Sequence, residues 1–419
     1  MTARLSGLAP WLAFALILIA APRVFTSPTA LTMMSFMGVM IIFALSYNML
    51  LGQTGLLSFG HAVYYGLGGF VAIHAMNAVI HNKLGVSIPV IPLVGGLAGL
   101  AFGVLFGLIS TRRAGLVFSM ISLGIGELVS SSSFILRTFF GGEEGITTNR
   151  SKLAPFFGHK FGPQLEVYYL VAVWCFVCVI AMYALTLTPF GRMCNAVREN
   201  PERVEFVGYS PRMVRLIAFC FAAFFAGIAG GLAAISFEIM NAQQLGAQQS
   251  SLVLVMAYIG GVGSFAGPIV GAVIITFLQI MLSDVTSAWQ LYFGLMFIAV
   301  VMFAPEGVVG WTMLHLRALR GGGAWRLAPA YAAVGPALAA SGVGAIMIIE
   351  LANRQLAEAR SEGSAMRLFG VDVDASTLPP WIVAVALFAA GTALVLRLWP
   401  RVGDAWGAVN ARLHFRGEG

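Results

Sequence analysis

The chain has 419 residues, of which 59% are hydrophobic and 10% charged. A soluble domain carries about 25% charged residues, so the composition excludes a water-facing globule, a disordered chain, a disulfide scaffold and a nucleic-acid-binding domain. The net charge of +7 is read through its placement beside membrane spans, and the 49 glycines suit helices that pack backbone to backbone in lipid.

Apolar runs recur at 9–26, 31–51, 56–80, 88–109, 114–136, 166–187, 213–236, 250–282, 288–304, 328–349 and 380–398. Most approach the roughly 20 residues a helical span needs, and none alternates as barrel strands do. The predicted fold class is an all-α polytopic membrane protein. Its first run lacks a convincing cleavage site and is read as an anchor. The run at 250–282 is too long for one simple span and is interrupted by GGVGSFAGP at 260–268. Glycines and a proline there let backbone leave the helix where protein encloses it. Two short crossings in this run give about twelve segments, and a re-entrant run gives ten.

Charge orients the map. Arg112 and Arg113, the arginines of 188–215, Arg317, Arg320 and Arg326, and Arg397, Arg401, Arg412 and Arg416 form four basic groups. The positive-inside rule puts all four in the cytoplasm, with both termini. GGGAWR at 321–326 reads as a flexible linker. It separates a core, 1–320, from an extension, 321–419, with two further spans.

Four stretches interrupt the apolar pattern. In LLGQTGLLSFGHAVYYGLGGF, 50–70, Gln53, Thr54, Ser58, His61, Tyr64 and Tyr65 alternate with glycines. Polar groups at membrane depth need partners or a cavity, so this is either a translocation path or gate, or a glycine-packed helix start. His61 has no neighbouring histidine to complete a zinc site, which favours a hydrogen-bonded role. The loop TPFGRMCNAVRENPERVEFVGYSPR, 188–212, is the largest charge cluster. It reads as one or more amphipathic helices with Val197, Val204 and Val207 on the apolar side, Arg198 in reach of Glu202 for an i,i+4 pair, and Gly208 at a helix end. Such a loop is either an ordinary cytoplasmic connection or a docking site. GGVGSFAGPIVGA, 260–272, has no Walker lysine, and its Gly261, Gly263 and Gly267 join Gln53, Ser58, His61 and Tyr64 as candidate path or gate residues. The loop at 141–152 carries Glu143 and Glu144, Glu127 and Glu238 lie in or beside apolar runs, and Gln243, Gln244, Gln248 and Gln249 cluster together. Cys175 and Cys178 have C-x-x-C spacing inside an apolar run and read as packed or lipid-facing thiols.

Three of these stretches resemble the LivM-type permease subunit of bacterial ABC importers for branched-chain amino acids. GQTGLLSFGHAVYYGLGGF is similar to the family's G-x-x-G-x-x-S-x-G-H stretch. GRMCNAVRENPERVEFVGYSPR resembles its coupling loop, and GGVGSFAGPIVGA with APEG at 304–307 resembles its closing region. The resemblance covers about 30–310 and implies an inner-membrane permease that binds no cofactor. It implies a LivH-like second permease, two cytoplasmic ATPase subunits that use ATP and Mg, and a periplasmic substrate-binding protein. Glu205 and Gly208 then match the coupling-loop glutamate and glycine, preceded by Arg198, Glu199 and Asn200, although Phe206 and its neighbours are bulkier than the family's alanines. Family members for urea and short amides leave the solute open. A gradient-driven carrier using Glu127, Asp284 or His61 is the competing class, and a noncatalytic scaffold a third.

Overall fold

The computed structural model describes residues 2–83, 85–304, 306–320, 325, 327–358 and 365–417. Its helices are α1 Thr2–Val24, α2 Pro28–Thr54, α3 Ala62–His81, α4 Ile91–Ser110, α5 Leu116–Ile135, α6 Arg137–Phe140, α7 Gln164–Leu187 and α8 Pro189–Glu199. They continue as α9 Pro201–Phe206, α10 Pro211–Phe237, α11 Ala247–Gly260, α12 Gly267–Val285, α13 Trp289–Phe303, α14 Gly307–Arg320, α15 Ala328–Glu358 and α16 Leu378–Gly417. Two small antiparallel ladders complete the chain: β1 Ile146–Thr147 pairs with β2 Ile239–Met240, and β3 Ala365–Leu368 with β4 Val371–Asp374.

Among the described residues nine helices are long and apolar enough to cross a membrane. A tenth is gained if α13 and α14, bent by 44°, form one broken span. The remaining apolar segments are the shorter helix Ala9–Val24 and α11. At 14 residues α11 is about 21 Å long, short of the ~30 Å hydrocarbon core. The interruption at 260–268 is therefore real, with α11 and α12 on its two sides.

The chain divides into two compact units: Met1–Ile280 with Ala299–Val309, and Met281–Ile298 with Gly310–Gly419. The linker expected at 321–326 lies, apart from Trp325, outside the described residues.

In the first unit α10 is the central helix. It has 27 residues, starts at Pro211 where the missing N–H costs nothing, and ends at Glu238 with φ 56°. Most of its length is buried. The packing depends on glycine. A Cβ at Gly227 would lie 2.3 Å from Gly95 O on α4, and one at Gly230 would lie 1.9 Å from Tyr65 O on α3. Gly95, Gly99, Gly103 and Gly107 recur every four residues along the face of α4 that meets α10. Lipid supplies no hydrophobic force between helices, so such backbone contact is a main source of cohesion.

Arg150 secures the Glu238 end of α10. Its Nε donates to Phe161 O at 2.9 Å, Nη1 to Ile235 O and Ser236 O at 3.1 Å each, and Nη2 to Gly162 O and Gln164 Oε1 at 3.2 and 3.3 Å. All five guanidinium donors are thus used, two of them on the last carbonyls of α10, where a cation opposes the helix dipole. Glu238 Oε1 accepts from Arg150 N at 2.7 Å, and the β1–β2 ladder lies alongside.

In the second unit α15 and α16 form an antiparallel pair in which Cβ atoms at Gly344 and Gly391 would lie 2.4 Å from Phe388 N and Ser341 N. Ser341 Oγ and Thr392 Oγ1 are 2.9 Å apart at the same crossing. Glu350 on α15 accepts from Tyr292 Oη at 2.7 Å and Thr286 Oγ1 at 3.2 Å. At the other end of this pair, Trp406 Nε1 donates to Tyr331 Oη at 2.9 Å, and Tyr331 Oη is 2.8 Å from His315 Nε2.

Candidate functional site

The first predicted stretch becomes a break between two helices. Gly55, with φ +69°, closes α2, and α3 begins at Ala62. Leu56, Ser58 and His61 between them are fully buried or nearly so. Non-helical backbone at such depth must be satisfied by protein, and hydroxyls from two other helices do this. Phe59 N donates to Ser122 Oγ at 3.1 Å, Ser119 Oγ donates to Leu57 O at 2.7 Å, and Ala62 N donates to Ser250 Oγ at 3.1 Å. A Cβ at Gly60 would lie 2.1 Å from Ser122 O, so only glycine fits against α5.

His61 lies beside this break. Its Nε2 is 3.0 Å from Ser46 Oγ, whose own proton goes to Phe43 O at 2.7 Å. Nε2–H is therefore assigned as the donor, leaving Nδ1 bare and without a protein partner. The ring stacks on Phe43 at 10° with centroids 5.6 Å apart. His61 is thus a hydrogen-bonded histidine within the bundle. Tyr64 points between Phe219 and Phe106, at centroid distances of 5.1 and 6.5 Å. Ser58 Oγ is buried with no partner, and Gln53 borders a crevice of about 10 Å³ beside Thr186, Phe190 and Cys194.

The loop 188–212 is a two-helix elbow. Thr188 Oγ1 caps α8 by accepting from Gly191 N at 3.3 Å. Asn200 then ends α8 in an extended conformation, φ −155°, and caps α9 by accepting from Arg203 N at 3.0 Å. A residue before proline is driven out of the helical region, so Pro201 explains the joint. This corrects two expectations. Arg198 and Glu202 stand on different helices and form no i,i+4 pair. Val197 and Val204 pack with Cys194, Val214 and Ala218, but Val207 lies past the end of α9 and is 73% exposed. Gly208, with φ +90°, turns the chain toward α10. Glu199, Glu205 and Gly208 are exposed, and Phe206 beside them is 90% exposed. Burial pushes the Cys194 thiol up to about 12.

The third stretch is the turn between α11 and α12. A Cβ at Gly267 would lie 2.0 Å from Gly261 O, and Ser264 Oγ accepts from Gly267 N at 3.0 Å. Gly261, φ +113°, abuts Glu306, with its Cβ position 2.3 Å from Glu306 O, while Gly263 faces open space. A Cβ at Gly52 would lie 3.0 Å from Val262 O, so this turn also meets the end of α2.

The three stretches therefore converge at one end of the first unit. Arg198, near the end of α8, joins them: its Nη1 donates to Gly52 O and its stem crosses Gly55. Arg150 was not singled out from sequence, because its partners lie 11 to 86 residues away. Glu127 is exposed halfway along α5, Asp284 is exposed near the end of α12, and Glu238 belongs to the Arg150 clasp.

A bundle of apolar helices with a buried break, joined at one end to an exposed two-helix loop, defines a multi-pass membrane protein. Residues 29–305 match the family described as "Branched-chain amino acid transport system / permease component", and the chain belongs to this family. It is a noncatalytic permease component of the ABC-type small-solute importers. It is 26% identical over 302 residues to the high-affinity branched-chain amino acid transport system permease protein LivM of Escherichia coli K12, covering 67% of this chain and 70% of the relative. It is 24% identical to BraD of Pseudomonas aeruginosa, covering 64% and 91%, and 23% identical to LivH of E. coli K12, covering 64% and 90%. No solved structure matches.

Proposed function

We propose that the chain is the LivM-type permease of an inner-membrane importer for branched-chain amino acids. It works with a LivH-like second permease, two ATPase subunits that use ATP and Mg, and a periplasmic binding protein that delivers the solute. The observation that carries this reading is the elbow at 188–212. A loop that exists only to connect spans has no need of two capped helices, yet this one holds Glu199, Glu205, Phe206 and Gly208 outward on a packed apolar base. A partner that closes on ATP gains a rigid handle there. The same basic loop, with Arg192, Arg203 and Arg212, favours a cytoplasmic position, and the reading takes both termini to lie on that side. Residues 321–419 are an appended two-span extension to the transport core. The names of the relatives favour branched-chain amino acids over urea or short amides.

Uptake by the purified complex in proteoliposomes tests the reading. Labelled leucine, isoleucine and valine should accumulate only with ATP and the binding protein both present. Uptake confined to urea or short amides would replace the solute, and flux without ATPase subunits would overturn the importer reading.

A further inference from the structure

We propose that Arg198 is the internal tie through which movement of the elbow reaches the α2–α3 break. This rests on the importer reading above. It assigns Arg198, itself exposed, a different task from Glu199 and Glu205, which face the partner.

Arg198 is the penultimate residue of α8, and α8 is anchored by Cys194 and Val197 in the apolar cluster. Arg198 is exposed like Glu199, but one arm of its guanidinium turns back onto α2. Its Nη1 donates to Gly52 O in the last turn of α2, where carbonyls lack helical partners and the dipole is negative. The aliphatic stem lies over Gly55, whose Cβ position would be 3.1 Å from Arg198 Cγ. Gly55 is the residue at which α2 gives way to the buried segment containing Ser58 and His61. Gly52 also abuts the α11–α12 turn at Val262 O. One side chain therefore grips the end of α2 between the elbow and two interrupted segments. A charge-assisted hydrogen bond to a helix end is among the stronger polar links a protein makes. An elbow displaced by a partner must either carry the end of α2 with it or break that link. This makes Arg198 a positioning residue, acting through α2.

The test uses the whole complex in proteoliposomes, measuring uptake and ATP hydrolysis together. Arg198→Gln should retain the ATPase subunits and most hydrolysis while uptake per ATP falls about tenfold, the scale of one lost charge-assisted bond. Arg198→Lys, which keeps a donor and a charge, should restore a substantial part of the ratio. An unchanged ratio in Arg198→Gln would overturn the proposal. So would parallel loss of uptake and hydrolysis, or loss of the ATPase subunits, because either would make Arg198 an ordinary partner contact.

If the permease itself fails to fold as Arg198→Gln, a paired variant gives the same decision. The Gly55 Cβ position is 4.0 Å from Arg198 Cβ, within disulfide range. Gly55→Cys with Arg198→Cys, in a background lacking the four native cysteines, should couple poorly when reduced and recover when oxidised. Oxidation that leaves the ratio unchanged or lowers it would overturn the tie. Failure of the importer reading is separately visible, since the unmodified complex would then transport without its ATPase subunits.

Discussion

Replacing Gly230 by alanine puts the packing of α3 on α10 to a direct test. The new Cβ would lie 1.9 Å from Tyr65 O, 2.8 Å from Tyr65 C and 2.9 Å from Gly69 N. These are backbone atoms, so no rotamer change can make room. Restoring ordinary contact requires the two helices to part by roughly 1.5 Å, and a gap below 1 Å already forfeits a quarter to a half of the dispersion energy across it. Together with the strain, the cost is about 3 kcal/mol. Gly124→Ala on α5 is the control, because nothing lies within 4 Å of its Cβ position. The native thiols provide the readout. Cys175, Cys178 and Cys194 are buried, and Cys194, raised to about 12, stays protonated and inert at neutral pH. A fluorogenic maleimide added during heating in detergent therefore reports unfolding. Gly230→Ala should lower the midpoint by roughly 5–10 °C. A midpoint equal to that of Gly124→Ala would refute backbone contact as the source of cohesion.

Other changes probe separate parts of the molecule. Arg150→Met should strand the carbonyls of Phe161, Gly162, Ile235 and Ser236 and destabilise the fold by about 3 kcal/mol, read by the same thiol assay, because unsatisfied buried groups cost ~1–3 kcal/mol each before relaxation. Gly208→Val forces a branched side chain to φ +90°, so it should weaken ATPase retention in pull-downs while leaving the thermal midpoint within about 2 °C, as expected for an exposed turn. Glu350→Ala removes the acceptor for Tyr292 and Thr286 and should cost ~1–3 kcal/mol, visible as earlier proteolysis of the second unit. Glu127→Leu should abolish uptake without lowering the midpoint, since a carboxylate exposed halfway along an apolar helix is costly in lipid and is expected to face a path. Unchanged uptake would assign Glu127 no transport role.

Much of this organisation is written in local pattern. The break at 260–268 was visible because glycines and a proline interrupt an overlong apolar run, and α11 and α12 end there. The elbow is legible as charge and valine periodicity, which admits one helix or more but does not place the joint. Asn-Pro at 200–201 carried the signal: the extended pre-proline residue divides one expected helix face into two and leaves Val207 outside. Arg150 and Arg198 were legible only as positive charges. What each does depends on carbonyls brought near by the fold, in one case 146 residues away.

Hydropathy has a further limit, shown by α10 and α16. The two are about equally apolar, but most of α10 is buried and most of α16 is exposed. Lipid and protein interior are equally apolar, so transfer from water cannot separate a helix buried among others from one that is mostly exposed. Size can. The stretch AGIAGGLAA in α10 admits neighbouring backbones on several sides at once, and contacts with Tyr65, Pro92 and Gly95 occur along it. The larger residues Trp381, Ile382, Val385, Phe388 and Leu394 of α16 leave close approach only around Gly391 and the Ala384–Phe388 turn. Within each unit the distribution of small residues thus marks where helices approach closely, a distinction that hydropathy alone does not make.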